Sequence, residues 1–336
     1  MASIVVFFHQ THTFLPRGLL AVEFFFILSG YLLAMSLNKI KGEDFTFISQ
    51  GLFLKRKIAS FYPELIIASL LGCFGHLYII AILNSDWLGF GSSCIKNILQ
   101  NLLLLRMTGI VGMTAPCTPA WYLSSMLIAF IILLPFLLKC RNPLLRLAVS
   151  LWLYGLVIHH MGGLEKQSFG DWVFFTYGGN LRAIAGILLG TVAYDTVRLC
   201  AAFKLSSIQR FGLSLLQLAL LIAFCSICFL HAKAFDGLAV CLHFFIIIIC
   251  FSRQSLFCPL LNHSLLHSCC CILGKFSLPL YLGHFYALFV FTKLDERYDL
   301  NAIWYFAMAC ILGLLVALGA CFIRRWILRP ATTKTA

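Results

Sequence analysis

Between His9 and Leu33 the chain reads HQTHTFLPRGLLAVEFFFILSGYLL, which sets a histidine, a glutamate and a Ser-Gly pair into otherwise apolar sequence. An ionisable group at membrane depth costs about 3 kcal/mol unless it faces a protein-lined or watery site, so these groups read first as functional. Imidazole takes and returns a proton near neutral pH, which makes His9 a candidate general base. The alternative is a histidine satisfied within a helix bundle. Glu23 either orients an imidazole, anchors an arginine or forms a structural ion pair. Ser29 and Gly30 either share in the chemistry or let two helices approach closely, a common use of small residues between membrane helices. His12, three residues past His9, either shares its helix face or belongs to an outer loop.

Three further groups carry charge near apolar runs. Arg182 follows Tyr177-Gly178-Gly179-Asn180 at the head of one such run. Its guanidinium grips a phosphate or carboxylate in bidentate fashion, pairs with Glu23, or snorkels to the interface. Lys55, Arg56 and Lys57 form a basic triplet that serves either a ligand or membrane orientation. No metal is expected, because His159-His160 and His263 with His267 find no completing ligand set. The fifteen cysteines lie mostly in apolar runs, where a thiol acts as a small hydrophobe. The adjacent Cys269, Cys270 and Cys271 diverge by about 100° per residue on a helix and do not converge on one ion.

These residues must be positioned by membrane helices. The 336 residues are 61% hydrophobic and 11% charged, with a mean hydropathy of +0.96, far from the roughly 25% charged content of soluble domains. That composition predicts an all-α, polytopic integral membrane helical bundle. No basic leader with a small-residue cleavage site opens the chain, so no cleavable signal is expected. Runs long enough to cross the bilayer fall at 1–15, 17–37, 59–83, 121–138, 144–160, 173–194, 211–232, 235–251, 276–292 and 301–323, with a weaker stretch at 94–112. If the weaker stretch re-enters or lies on the outer surface, the loops 38–58, 139–146, 195–210, 252–275 and 324–336 share one side. They hold 17 of the 25 Lys and Arg residues. The positive-inside rule then selects about ten spans with both termini cytoplasmic. The net charge of +13 belongs to these loops, with no aromatic-interleaved basic stripe, so nucleic acid is not an expected partner. The first run is short: at about 1.5 Å per residue, nine residues from Met1 bring His9 only to mid-bilayer. Residues 1–336 are expected to form one transmembrane domain.

The order of these motifs resembles the acyltransferase 3 family, membrane-bound O-acyltransferases that acylate bacterial surface and secreted carbohydrates. Ile4-Val5-Val6-Phe7-Phe8-His9 matches its first-helix run ending in His, and Val22-Glu23-Phe24-Phe25-Phe26-Ile27-Leu28-Ser29-Gly30-Tyr31 its acidic, aromatic Ser-Gly segment. Lys55-Arg56-Lys57 before Phe61-Tyr62-Pro63, Trp121-Tyr122-Leu123, Arg182 to Gly190, and Leu273-Gly274-Lys275-Phe276-Ser277-Leu278-Pro279-Leu280-Tyr281-Leu282-Gly283-His284 follow later family segments in order. Departures also stand out. The first-helix Arg of the family would precede Met1, Ser60 replaces a base, and Met126 stands where many members place an acidic residue.

The resemblance implies transfer of an acyl group, most simply acetyl, from cytoplasmic acetyl-CoA or another acyl-CoA to a carbohydrate hydroxyl at the outer face. His9 is then general base or transient acyl carrier, with Glu23 and Ser29 beside it. Lys55, Arg56 and Lys57 meet the anionic donor at the cytoplasmic mouth, and Arg182 binds it deeper. His284 matches the family but also fits a helix end near the outer surface. The acceptor is a surface polysaccharide, lipid-linked glycan or exopolysaccharide, and the protein is a multi-pass protein of a bacterial inner membrane, in contact with membrane lipid. No fused hydrolase-like domain is evident, so the chemistry resides in the bundle or is completed by separate biosynthetic partner proteins. Two rivals remain. A transporter or flippase for a glycan or lipid-linked sugar predicts paired broken helices in matching halves, and the sequence offers no such pair. A structural or assembly subunit is suggested only by the missing Arg and by Ser60.

Overall fold

The structure, a computed structural model, describes residues 1–5, 15–39, 47–83, 96, 98–110, 119–164, 170–260, 263–298 and 302–327. Nine long helices run through these residues: α1 (Ala21–Lys39), α2 (Phe47–Leu83), α3 (Ala120–Lys139), α4 (Pro143–Met161), α5 (Gly178–Cys200), α6 (Ser207–Phe229), α7 (Asp236–Ser252), α8 (Ser264–Tyr298) and α9 (Ala302–Ile327). Each contains a segment long and apolar enough to cross a membrane. With backbone polar groups satisfied internally, helices are one of the two architectures a bilayer permits, and the chain is a polytopic helical bundle. The expected first run, 1–15, lies largely outside the described residues.

Local sequence explains several helix ends. Asn142 accepts from the Leu144 and Leu145 amides and is followed by Pro143, so α4 starts on a capped, proline-led turn. Ser206 and Gln209 form a reciprocal capping box on α6. The run expected to begin a helix at 173 instead opens in a two-stranded hairpin, β1 (Trp172–Val173) on β2 (Thr176–Tyr177), with Phe174 at φ 57 in its turn. Helix α5 therefore begins later than the apolar run does.

Helix α5 is central, packed against α1, α3, α4 and α7, while α8 and α9 pair with each other and lean on α2. The α1–α5 crossing is unusually close. A side chain at Gly30 would run into the backbone carbonyl of Ile187, and one at Gly190 into that of Ile27. The Ser29-Gly30 pair therefore contributes its glycine to helix approach.

The weaker stretch at 94–112 forms no spanning helix among the described residues. Its helical turn at 98–102 breaks at Leu104, which adopts a left-handed conformation, and a 3-10 turn follows at Leu105–Met107. Side chains of the bundle hold this irregular backbone. Tyr62 donates to the Leu102 carbonyl at 3.0 Å, Ser124 donates to that of Leu104 at 2.6 Å, and Asn180 donates to that of Met107 at 2.8 Å. Irregular backbone at membrane depth is tolerated where protein satisfies it in this way.

Candidate active site

His9 and His12 lie outside the described residues, so the site is built from the groups around them in sequence. Helix α1 carries two of these, Glu23 and Ser29, six residues apart and turned to different neighbours.

Glu23 is fully buried, as is Arg182 of α5. Its Oε1 accepts from Arg182 Nε at 2.7 Å and lies 2.5 Å from a terminal guanidinium nitrogen. Its Oε2 accepts from the Tyr154 hydroxyl of α4 at 2.7 Å. The Arg182 guanidinium also stacks over Trp121 of α3, 5.4 Å from the ring centre. One carboxylate thus ties α1, α4 and α5 together. The arginine is held by Glu23 rather than on the wall of the cavity described next.

That cavity, of about 710 Å³, is lined from α1, α2, α3, α6, α7 and α8 and by Met1 and Ala2. Its walls are largely apolar, with Phe24, Phe25, Leu28, Phe61, Leu123 and Ile246 among the lining residues. Lys57 and Ser60 line it from α2, and Ser29, Tyr122 and Tyr281 supply hydroxyls. Of the basic triplet only Lys57 lines it. Its ammonium sits 5.7 Å from the centre of the Phe130 ring, while Lys55 and Arg56 are exposed. Ser60, where the family pattern has a base, donates to the Lys57 carbonyl at 2.6 Å and adds no charge.

The hydroxyls are linked to one another and to the wall. Tyr122 donates to the Phe25 carbonyl at 3.1 Å. Ser29 lies 3.1 Å from the Tyr122 oxygen, a pair in which either hydroxyl can donate, and 3.5 Å from Met126 Sδ, to which it can also donate. A hydroxyl that donates into the wall keeps its lone pairs for a donor from outside. Among the described residues no carboxylate or imidazole bonds Ser29. Met126, in the position where many family members are acidic, serves as the soft acceptor for Ser29.

His284 is not at a helix end. Helix α8 continues to Tyr298, so the histidine lies mid-helix, fully buried, with Nδ1 2.5 Å from the Tyr281 carbonyl. Sequence reasoning singled out neither Tyr122 nor Tyr281 for the site, although both sit inside the quoted motifs. Their rings lie 5.9 Å apart, and a tyrosine aligned with cavity-lining positions was the available signal. Among the described residues no group of three or more His, Cys, Asp or Glu side chains is placed to hold a metal ion.

The described residues thus form a multi-pass bundle with an open, largely apolar pocket that carries a lysine at one part of its wall and hydroxyls at another. Residues 2–322 match the acyltransferase 3 family model, described as an acyltransferase domain, so the chain belongs to that family and is a membrane acyltransferase. No curated protein and no solved structure matches the chain.

Proposed function

We propose that the protein is a membrane O-acyltransferase, most simply an O-acetyltransferase, that takes an acyl group from cytoplasmic acyl-CoA and delivers it to a carbohydrate hydroxyl at the outer face. The observation that carries this reading is the cavity joining Lys57 to the Ser29–Tyr122 pair. Its volume of about 710 Å³ is within the roughly 300–1,000 Å³ of small-molecule sites. Its apolar walls suit the uncharged arm and acyl group of the donor. Lys57, with Lys55 and Arg56 outside it, suits the phosphates. The basic end of the bundle faces the cytoplasm in this reading, as the positive-inside rule favours.

In the transfer, the thioester C–S bond breaks and a C–O bond forms to the acceptor oxygen. His9 takes the acceptor's hydroxyl proton, and that proton leaves on the departing thiol. Ser29 and Tyr122 are the hydroxyls that line the cavity from α1 and α3. Glu23 and Arg182 are positioning residues in this scheme, since they hold the helices that frame the cavity.

His9→Ala is expected to abolish incorporation of labelled acetyl into surface glycan with membrane abundance unchanged, while His12→Ala retains most activity. Wild-type incorporation by His9→Ala would overturn the assignment.

A further inference from the structure

A second cleft opens at the basic end, between the ends of α1, α3, α4 and α5, and shares no lining residue with the central cavity. Its volume is about 200 Å³, and Arg141, Arg146, Arg198, Asp195, Tyr194 and Asn38 supply its polar wall. Arg146 is buried and fixed. It donates to the carbonyls of Asn142 at 3.4 Å and Arg141 at 3.3 Å, and it pairs with Asp195. That carboxylate neutralises one guanidinium of the three. Among the described residues Arg198 donates only to the Asn38 amide oxygen, at 3.3 Å, and it stands 6.0 Å from the centre of the Tyr194 ring. Neither Arg141 nor Arg198 meets a carboxylate among the described residues. Among the described residues the cleft therefore holds three cations against one anion.

Membrane orientation alone explains exposed basic residues in the loops. It does not explain why three guanidiniums, two from the α3–α4 turn and the start of α4 and one from the end of α5, converge on a concavity, where like charges repel. An anion offsets that repulsion, and forked guanidiniums match a phosphoryl group best. The size and the other walls narrow the choice. At about 200 Å³ the cleft is below the roughly 300–1,000 Å³ that encloses a whole small molecule, so it takes a headgroup whose remainder lies outside. Leu37, Leu137 and Leu138 supply an apolar wall beside the arginines, as an amphiphile requires.

We propose that this cleft binds the phosphate headgroup of an anionic phospholipid of the inner leaflet. The leaflet follows from the orientation above, but the binding itself does not depend on the acyltransfer mechanism. Basic pockets between transmembrane helices on the cytoplasmic side are known sites for such headgroups, and each Arg near the surface is worth about 1 kcal/mol, or about fivefold.

The test is native mass spectrometry of the full-length protein released from nanodiscs of phosphatidylglycerol or of phosphatidylcholine. Wild type should retain phosphatidylglycerol. Arg141→Gln should lower its affinity about fivefold and Arg141→Gln/Arg198→Gln about twenty-five-fold, with phosphatidylcholine retention unchanged. Arg141→Gln removes a side chain without a described hydrogen bond or ion pair, so its folding is not at risk. Equal phosphatidylglycerol retention by wild type and both variants overturns the proposal. So does displacement of the retained lipid by coenzyme A or by inorganic phosphate, which would assign the cleft to a soluble anion.

Discussion

The Glu23–Arg182 pair allows a sharp test of how the bundle is held. Both side chains are fully buried, and the carboxylate spends one oxygen on the guanidinium and the other on Tyr154. Glu23→Gln preserves shape and keeps an oxygen toward Arg182, but it leaves a buried cation without its counter-charge. Removing one partner of a buried pair costs about 3–5 kcal/mol. Arg182→Met leaves the carboxylate with Tyr154 alone and also forfeits the stack on Trp121, so its cost falls in the same range. The double variant removes both charges at once. Its remaining loss is the unmade hydrogen bonds, about 1–3 kcal/mol. The singles should therefore overshoot the double, with a coupling of at least about 3 kcal/mol. Reversible unfolding in mixed micelles, read for wild type and all three variants, measures it. A coupling within the roughly 0.5 kcal/mol of simple additivity would refute the view that the two charges form one structural unit.

Other consequences are open to direct measurement. Gly190→Ala places a methyl on the Ile27 carbonyl and should cost at least about 1–3 kcal/mol through overpacking, whereas Gly212→Ala, with nothing within 4 Å, should not destabilise; equal melting of the two variants would remove the case for a tight α1–α5 crossing. Lys57→Gln should raise KM for acyl-CoA with kcat nearly unchanged, because phosphates are bound alike in ground and transition states. The same substitution at Lys55 or Arg56 should raise it less, as read in inside-out vesicles, and equal effects at all three would deny Lys57 its special place. Cys140, at the end of α3, should react with an impermeant maleimide only from the cytoplasmic side when the other cysteines are replaced; labelling from outside would invert the proposed topology.

The spans were legible because the bilayer forces apolar runs of about 20 residues, and the motifs were legible because their spacing is local. What escaped depends on neighbours remote in sequence. Glu23 and Arg182 are 159 positions apart, and no local pattern says whether a buried arginine meets a carboxylate or a ligand. The aromatic stretch at 173–177 looks like the start of a membrane helix by hydropathy, yet a left-handed Phe174 turns it back as a hairpin. Within Lys55-Arg56-Lys57 the sequence makes three similar cations. The helix rotates them to different directions, and only Lys57 reaches the cavity.

The segment from Glu23 to Gly30 resolves into two interleaved stripes. At about 100° per residue, Glu23, Phe26, Ile27 and Gly30 share one face of α1, and each meets α5: Glu23 through Arg182, Phe26 against Gly186, and Ile27 and Gly30 through the close crossing. Phe24, Phe25, Leu28 and Ser29 share the opposite face and line the cavity. A helix that must lock onto its neighbour on one side and present a chamber wall on the other needs its polar groups an odd fraction of a turn apart. Glu23 and Ser29, six residues apart, differ by about 240° and satisfy that need. The carboxylate accordingly belongs to the framework and the hydroxyl to the chamber, although the two stand in one motif. Glu23 does not line the cavity, so loss of activity on its substitution would not by itself show contact with substrate. Only a change on the Ser29 face separates chemistry from scaffolding, and there the fold has Tyr122 to report it.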